Sequence, residues 1–228
     1  MAASRHRLCI AGSWIHNPII LSYDKRMISA SHILGLYDTW TQQWHTALPV
    51  ASSGPALEAT LEAALEALHR ANFELWHQED NARVPHAGDA AIAQVKRNID
   101  SINQRRNDQV ECCDVLLLQE LASQQRPNPL AELHSETPGM MLDRLSILTL
   151  KRYHTLEEID RPNAPAGHGM RNRERLAILD HQRSDLATCL DQLWAALLQG
   201  ERRFTLYRQL KMYNDPTLNP ALYSQIQK

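Results

Sequence analysis

Apolar residues recur with a helical period through most of the chain. Between Gly88 and Gln124, Ile92, Val95, Ile99, Ile102, Val110, Cys113, Leu117 and Leu121 fall on one face at about 100° per residue, which predicts one long helix. Lys96, Asp100, Asn103, Asn107, Glu111 and Asp114 line the edge of that face within about 80° of arc. Burying an unpartnered charge costs several kcal/mol, so this polar band either meets complementary groups on neighbouring helices or binds a ligand.

The remaining segments arrange themselves around that helix. Residues 1–20 read as an irregular arm, with Trp14, Ile15 and the His16-Asn17-Pro18 turn docking on the body. Ile19 to Thr46 predicts a first helix in which Trp40, Trp44 and His45 are core packing. After the Pro49–Pro55 loop, Ser53-Gly54-Pro55 starts a second helix that runs through Leu61, Leu68, Asn72 and Trp76 to Arg83. Val84 to Gly88 stops it and opens the long helix. Thr137-Pro138-Gly139 caps another helix reaching about Ile159. It is apolar almost all round, which predicts burial, yet it carries Asp143, Arg144, Lys151 and His154. The Pro/Gly loop at 161–170 is a lid or a connector, and Asn172 to Gln199 forms a last helix ended by Gly200. In the tail, Arg202, Arg203, Phe204, Tyr207, Arg208, Lys211 and Tyr213 either grip a phosphate or pin the chain, with 214–228 as the terminal stretch. The sum is a single all-α domain, 1–228, of five or six helices, with the long helix and the Thr137 helix as core pair.

Composition narrows the function classes. The chain has 228 residues and a formal net charge of −2, from 24 Lys and Arg against 26 Asp and Glu, so it lacks the basic surplus of a nucleic-acid-coating protein. Cys9, Cys112, Cys113 and Cys189 have neither CxxC nor zinc-ribbon spacing, which fits a reducing cytoplasm. The apolar stretch near the N-terminus is too short for a signal peptide or a membrane span. Oligomeric state is open, the aromatic first helix offering a dimer face.

The candidate chemistry gathers where the second helix turns into the third. His77, Asp80 and Arg83 close one helix, while Asp100, Asn103, Asn107 and Glu111 run along the next, and the short connection makes the two antiparallel neighbours. Asp80 and Arg83 are then expected near Lys96 and Asp100, His77 opposite Asn103 to Asn107, and Lys151 and His154 on a third side. This assigns His77, Asp80, Glu111 and His154 as catalytic candidates. Arg83, Asp100, Asn103, Asn107, Asp143, Arg144 and Lys151 become ligand-binding candidates for an anionic small molecule. Such a set suits acid–base or metal-assisted chemistry on a phosphorylated substrate. The same residues also suit an internal ion network in which Lys151 or Arg144 meets Asp100, Glu111 or Asp114. No Gly-rich phosphate loop, GxSxG elbow, HExxH helix or Rossmann fingerprint occurs. Glu111-Cys112-Cys113-Asp114 fits the ExxD half of the motif of all-helical nucleoside triphosphate pyrophosphatases, but the partner ExxE is missing. A magnesium site would draw on Asp80, Asp100, Glu111 and Asp114.

Four ordered blocks carry a resemblance. Trp76 to Arg83, Ile99-Asp100 with Asn103-Gln104 and Arg106-Asn107-Asp108, Glu136 to Gly139 with Asp143 to Leu148, and Lys211 to Pro216 with Asn219-Pro220 resemble an uncharacterised all-helical bacterial family. Its members often occur near, or fused to, heptosyltransferase-like glycosyltransferases of cell-surface polysaccharide assembly. The resemblance carries no reaction and implies a setting, surface-glycan assembly, within which the polar band suits two functions of different classes. One is a small enzyme or binding protein for a sugar phosphate or nucleotide sugar; the other is a non-catalytic helical partner of a glycosyltransferase. An open pocket lined by His77, Asp80, Asn107 and Glu111 would favour the first, and full burial of those residues beside an exposed apolar patch the second.

Overall fold

The computed structural model describes residues 29–46, 60–126 and 128–210, together with 212, 217–220 and 224. The arm at 1–20, the expected starts of the first two helices at Ile19 and Ser53, and most of the 214–228 tail lie outside the described residues. Five helices dominate: α1 Ala30–Thr46, α2 Leu61–Asn81, α3 Asp89–Ser123, α4 Pro138–Ile159 and α5 His168–Gln199. Two dipeptides, β1 Glu132–Leu133 and β2 Arg202–Arg203, pair in parallel register, Glu132 with Arg202 and Leu133 with Arg203. The fold is all-α, as the periodicity predicts.

Local chemistry sets the helix ends. The Thr60 side chain accepts from the Ala63 amide at 3.2 Å to cap α2, and Thr137 accepts from Met140 N at 3.2 Å to cap α4, with Pro138 as first helical residue. Gly200 closes α5 in the left-handed region, φ 74°. The α4 cap docks on α3. Gly139 N donates to the Asp114 carboxylate at 2.7 Å, and a Cβ on Gly139 would lie 2.6 Å from the Val110 carbonyl oxygen. Only glycine fits there, and Asp114, 2% exposed, stabilises the positive end of the α4 dipole.

The packing hub is α4 rather than α3. Helix α4 touches each of the other four, pairing most extensively with α5, whereas α3 packs principally on α2 and α4. The buried residues of α3 begin at Ile102 and continue through Val110, Cys113, Leu117 and Leu121, while Ile92 is 36% exposed. The first turns of α3 thus project beyond the core: the apolar stripe is continuous in sequence, but its neighbours cover only the later part. Tyr37, Leu68, Leu117, Leu142, Leu145, Leu190 and Leu197 form the centre. The aromatic face of α1 turns inward, Tyr37 and Trp44 being buried and Trp40 half-buried. Among the described residues, no helix is long and apolar enough to cross a membrane.

Candidate functional site

A mixed polar and aromatic stripe runs along α2. His69, Asn72, Phe73, Trp76, His77 and Asp80 follow at helical spacing, and the stripe faces α1 and α4. It passes through two centres of opposite character.

The first centre is closed. Asp143 of α4, 6% exposed, receives Arg106 of α3 in a two-pronged ion pair, Nε to Oδ1 at 2.9 Å and Nη2 to Oδ2 at 2.7 Å. Asn72 Nδ2 donates to Asp143 Oδ1 at 2.9 Å and to Ser146 Oγ at 3.0 Å. Thr41 Oγ1 donates to the Tyr37 carbonyl at 2.7 Å, so the 2.8 Å contact from His69 Nε2 makes that nitrogen the donor. His69 Nδ1 then accepts from Ser146 Oγ at 2.8 Å. Every link has one direction and every group a partner. Burial pushes the His69 pKa down to about 3, so the ring is neutral, with Tyr37 stacked on it at 4.5 Å.

The second centre lies further along the same three helices. His45 of α1, His77 of α2 and His154 of α4 each offer one ring nitrogen, and these atoms all lie within 4.8 Å of one another. His45 Nδ1 donates to the Thr41 carbonyl at 2.7 Å, and His154 Nδ1 to the Glu157 carboxylate at 2.8 Å. The other nitrogens of both rings, His45 Nε2 and His154 Nε2, are buried without a hydrogen-bond partner. Aromatic rings hold the cluster: Tyr153 stacks on His45 at 4.2 Å, Trp76 on His154 at 4.6 Å, and Phe73 meets His77 edge-on at 4.6 Å. Burial lowers the His77 and His154 pKa values; the hydrogen bond and charge of Glu157 act against this at His154, neighbouring imidazoles lower both, and the Asp80 charge raises both.

Beside this cluster opens a groove of about 420 Å³ between α2, α3 and α4, lined by Trp76, Glu79, Asp80, Arg83 and Arg106 over an apolar base of Leu75, Ile147 and Leu150. Asn72 also reaches it, so the closed network forms part of its floor. Arg83 pairs with Glu79 Oε2 at 2.8 Å in an exposed one-turn pair, a weak tie that leaves the guanidinium available. On the far side of Trp76 and His154, a second groove carries Lys151 and Arg175. A third, between α4 and α5, holds Arg144, Lys151 and His134.

The expected single constellation therefore divides. His77 and His154 meet, Asp80 is near enough for its charge to act on both, and Arg83 shares the groove with Asp80. Gln78 bonding Asn98 and Glu74 bonding Arg105 fix the α2–α3 register, so His77 stands opposite about residue 100 and turns toward α1 and α4 instead of Asn103 to Asn107. Glu111 lies about ten residues further down α3, about 15 Å at 1.5 Å per residue. There its carboxylate accepts the Gln209 amide at 2.9 Å and faces Arg208 at 3.8 Å. Asp100 pairs with its helical neighbour Lys96, Asn103 accepts from Arg106 at 3.4 Å, and Asn107 is half-buried on α3. The four acids weighed for magnesium are thus spread out, Asp114 being engaged by the α4 cap. Arg144 pairs with Glu136 and Lys151 is exposed, because α4 keeps one open stripe; the acid that needed a cation was Asp143, and Arg106 supplies it. Thr41, His69, Asn72 and Ser146 escaped the sequence reading because each looks like an ordinary core position alone. His45 reads as packing beside Trp40 and Trp44; its place four residues after Thr41, on one helical line, is the signal in the sequence that sets it apart.

A family model described as a protein of unknown function, DUF4254, matches residues 62–206. The chain belongs to this family. The match takes in α2 to β2, with His69, His77, Asp80, Asp143 and His154, while α1 with Thr41 and His45 precedes it. No curated protein and no solved structure matches this DUF4254 chain.

Proposed function

We propose that this chain binds a sugar phosphate or nucleotide sugar in the groove between α2, α3 and α4, and serves cell-surface polysaccharide assembly, the setting that its sequence blocks imply. The carrying observation is the combination of the Trp76 ring, the carboxylates of Glu79 and Asp80 and the exposed guanidinium of Arg83 around one open groove of about 420 Å³, with Arg106 held in its floor by Asp143. An indole suits the apolar face of a sugar or a base, carboxylates accept from sugar hydroxyls, and guanidinium matches a phosphate. The Arg106–Asp143 pair and Asn72 hold the floor rigid, which lowers the ordering cost of binding. Of the four residues whose placement separates this reading from that of an adaptor bundle, Asp80 lines the open groove and is exposed beside Arg83, while His77, Asn107 and Glu111 are not part of its lining.

The test is a thermal-shift screen of nucleotide sugars, sugar phosphates and free nucleotides against the full chain. A true ligand at a hundred times its dissociation constant adds about 2.7 kcal/mol of stability. Trp76→Ala and Arg83→Ala should each abolish the shift while leaving the helical circular dichroism intact. A folded wild-type chain whose midpoint none of these ligands moves would overturn the reading.

A further inference from the structure

We propose that His45, His77 and His154 form a three-histidine site for one divalent transition-metal ion of the zinc class, with a fourth position left for water or a ligand oxygen. Three nitrogens from three helices lie within 4.8 Å of one another. A zinc ion held at about 2.0–2.1 Å from each nitrogen needs them about 3.3 Å apart, so the side chains have only a short way to close. The second observation concerns orientation. His45 and His154 each spend Nδ1–H on a fixed acceptor, the Thr41 carbonyl at 2.7 Å and the Glu157 carboxylate at 2.8 Å, which leaves the lone pair on Nε2. That is how metal-binding imidazoles are held in place, by a carbonyl or carboxylate behind the ring.

Packing alone does not account for the arrangement. Ring stacking with Tyr153, Trp76 and Phe73 explains why the half-buried imidazoles are held in place, but not why both Nε2 atoms are left without a partner. Buried polar atoms are almost always satisfied. One cation between them would satisfy both at once, and His77 completes the set. Imidazole donors favour zinc, copper, nickel or iron over magnesium, which takes carboxylate and phosphate oxygens. Asp80 lies close enough for its charge to act on both His77 and His154 and also lines the Trp76 groove, so the ion would stand at the groove's edge. The inference stands without the sugar reading, because it rests on the three rings alone.

The experiment uses the full chain, stripped with a chelator and titrated with zinc, cobalt and magnesium. One equivalent of zinc is expected to bind and raise the melting temperature, cobalt to show the visible bands of a four-coordinate ion, and magnesium to do neither. Among the described residues His77 has ring contacts and no hydrogen bond, so His77→Gln should fold and lose at least tenfold in zinc affinity. His154→Gln should lose as much, while the exposed His181→Gln should bind as the wild type does. Absence of zinc binding to the stripped chain, or zinc affinity unchanged in a folded His77→Gln, would overturn the site.

Discussion

The two histidine centres are built from the same three helices and differ in whether their nitrogens are used. Thr41, His69 and Ser146 belong to the closed network, and His45, His77 and His154 follow them by one turn on α1 and two turns on α2 and α4. In the first, His69 is clamped between two hydroxyls and the chain ends in a buried ion pair, so every donor and acceptor is satisfied within the protein. In the second, orienting hydrogen bonds fix two rings and then leave their remaining nitrogens with nothing to bond. A satisfied network stabilises a fold; an oriented but unsatisfied one is prepared for something from outside.

The largest test of this contrast strips the closed centre. Asp143→Ala leaves Arg106 partly buried without its carboxylate and should cost about 3–5 kcal/mol in a urea denaturation. A loss below about 1 kcal/mol would mean that the network is not structural. Acid should act on the same centre. With the folded pKa of His69 held at about 3 and the unfolded ring near 6.5, the unfolded state binds more protons below 6.5, so this stability is complete above that pH and falls toward pH 3. By pH 5 the loss reaches about 2 kcal/mol. Asp114 works in the opposite sense: burial raises its pKa to about 6, so the folded state takes up a proton first and gains stability as pH falls from 6 toward 4. The His69 contribution is therefore read as the difference between the pH curves of the wild type and His69→Gln, which cancels Asp114. Gly139→Ala, which forces a Cβ against the Val110 carbonyl, should cost about 1–3 kcal/mol by chemical denaturation and shows whether the α4 cap is as tight as the geometry requires.

The open centre should answer differently. In metal-free protein His77→Ala should change stability by less than about 1 kcal/mol, since no hydrogen bond of the described residues is lost, yet it should remove the response to zinc. An equal loss of stability at both centres would erase the distinction. Asp100→Asn, which breaks only the solvated pair with Lys96, should move the unfolding midpoint by less than about 0.5 kcal/mol and serves as the surface reference.

Much of the fold was legible in the chain. A helix of 35 residues at Asp89–Ser123, the Thr137-Pro138 cap and the Gly200 stop follow from periodicity and local backbone chemistry, which depend on residues within a few positions of one another. The same local reasoning placed Asp80 and Arg83 at the end of α2, where they line the groove, and His77 just before them, where it meets His45 and His154. It could not choose the hub, because the Ile92, Val95, Ile99 stripe looks as apolar as the later half that finds neighbours. Nor could it choose partners. Asp143 had Arg144 and Lys151 beside it in sequence, but its cation came from Arg106, 37 positions away, since α4 turns Asp143 inward and Arg144 outward. The rotation of each helix about its axis sets which edge of a polar stripe meets which neighbour, and that rotation is decided by the packing of the whole core. So the sequence determined the helices and the polar faces they carry. Only the tertiary structure decided that His69 would be sealed among hydroxyls while His45, from a helix read as packing, would join His77 and His154 around a shared space.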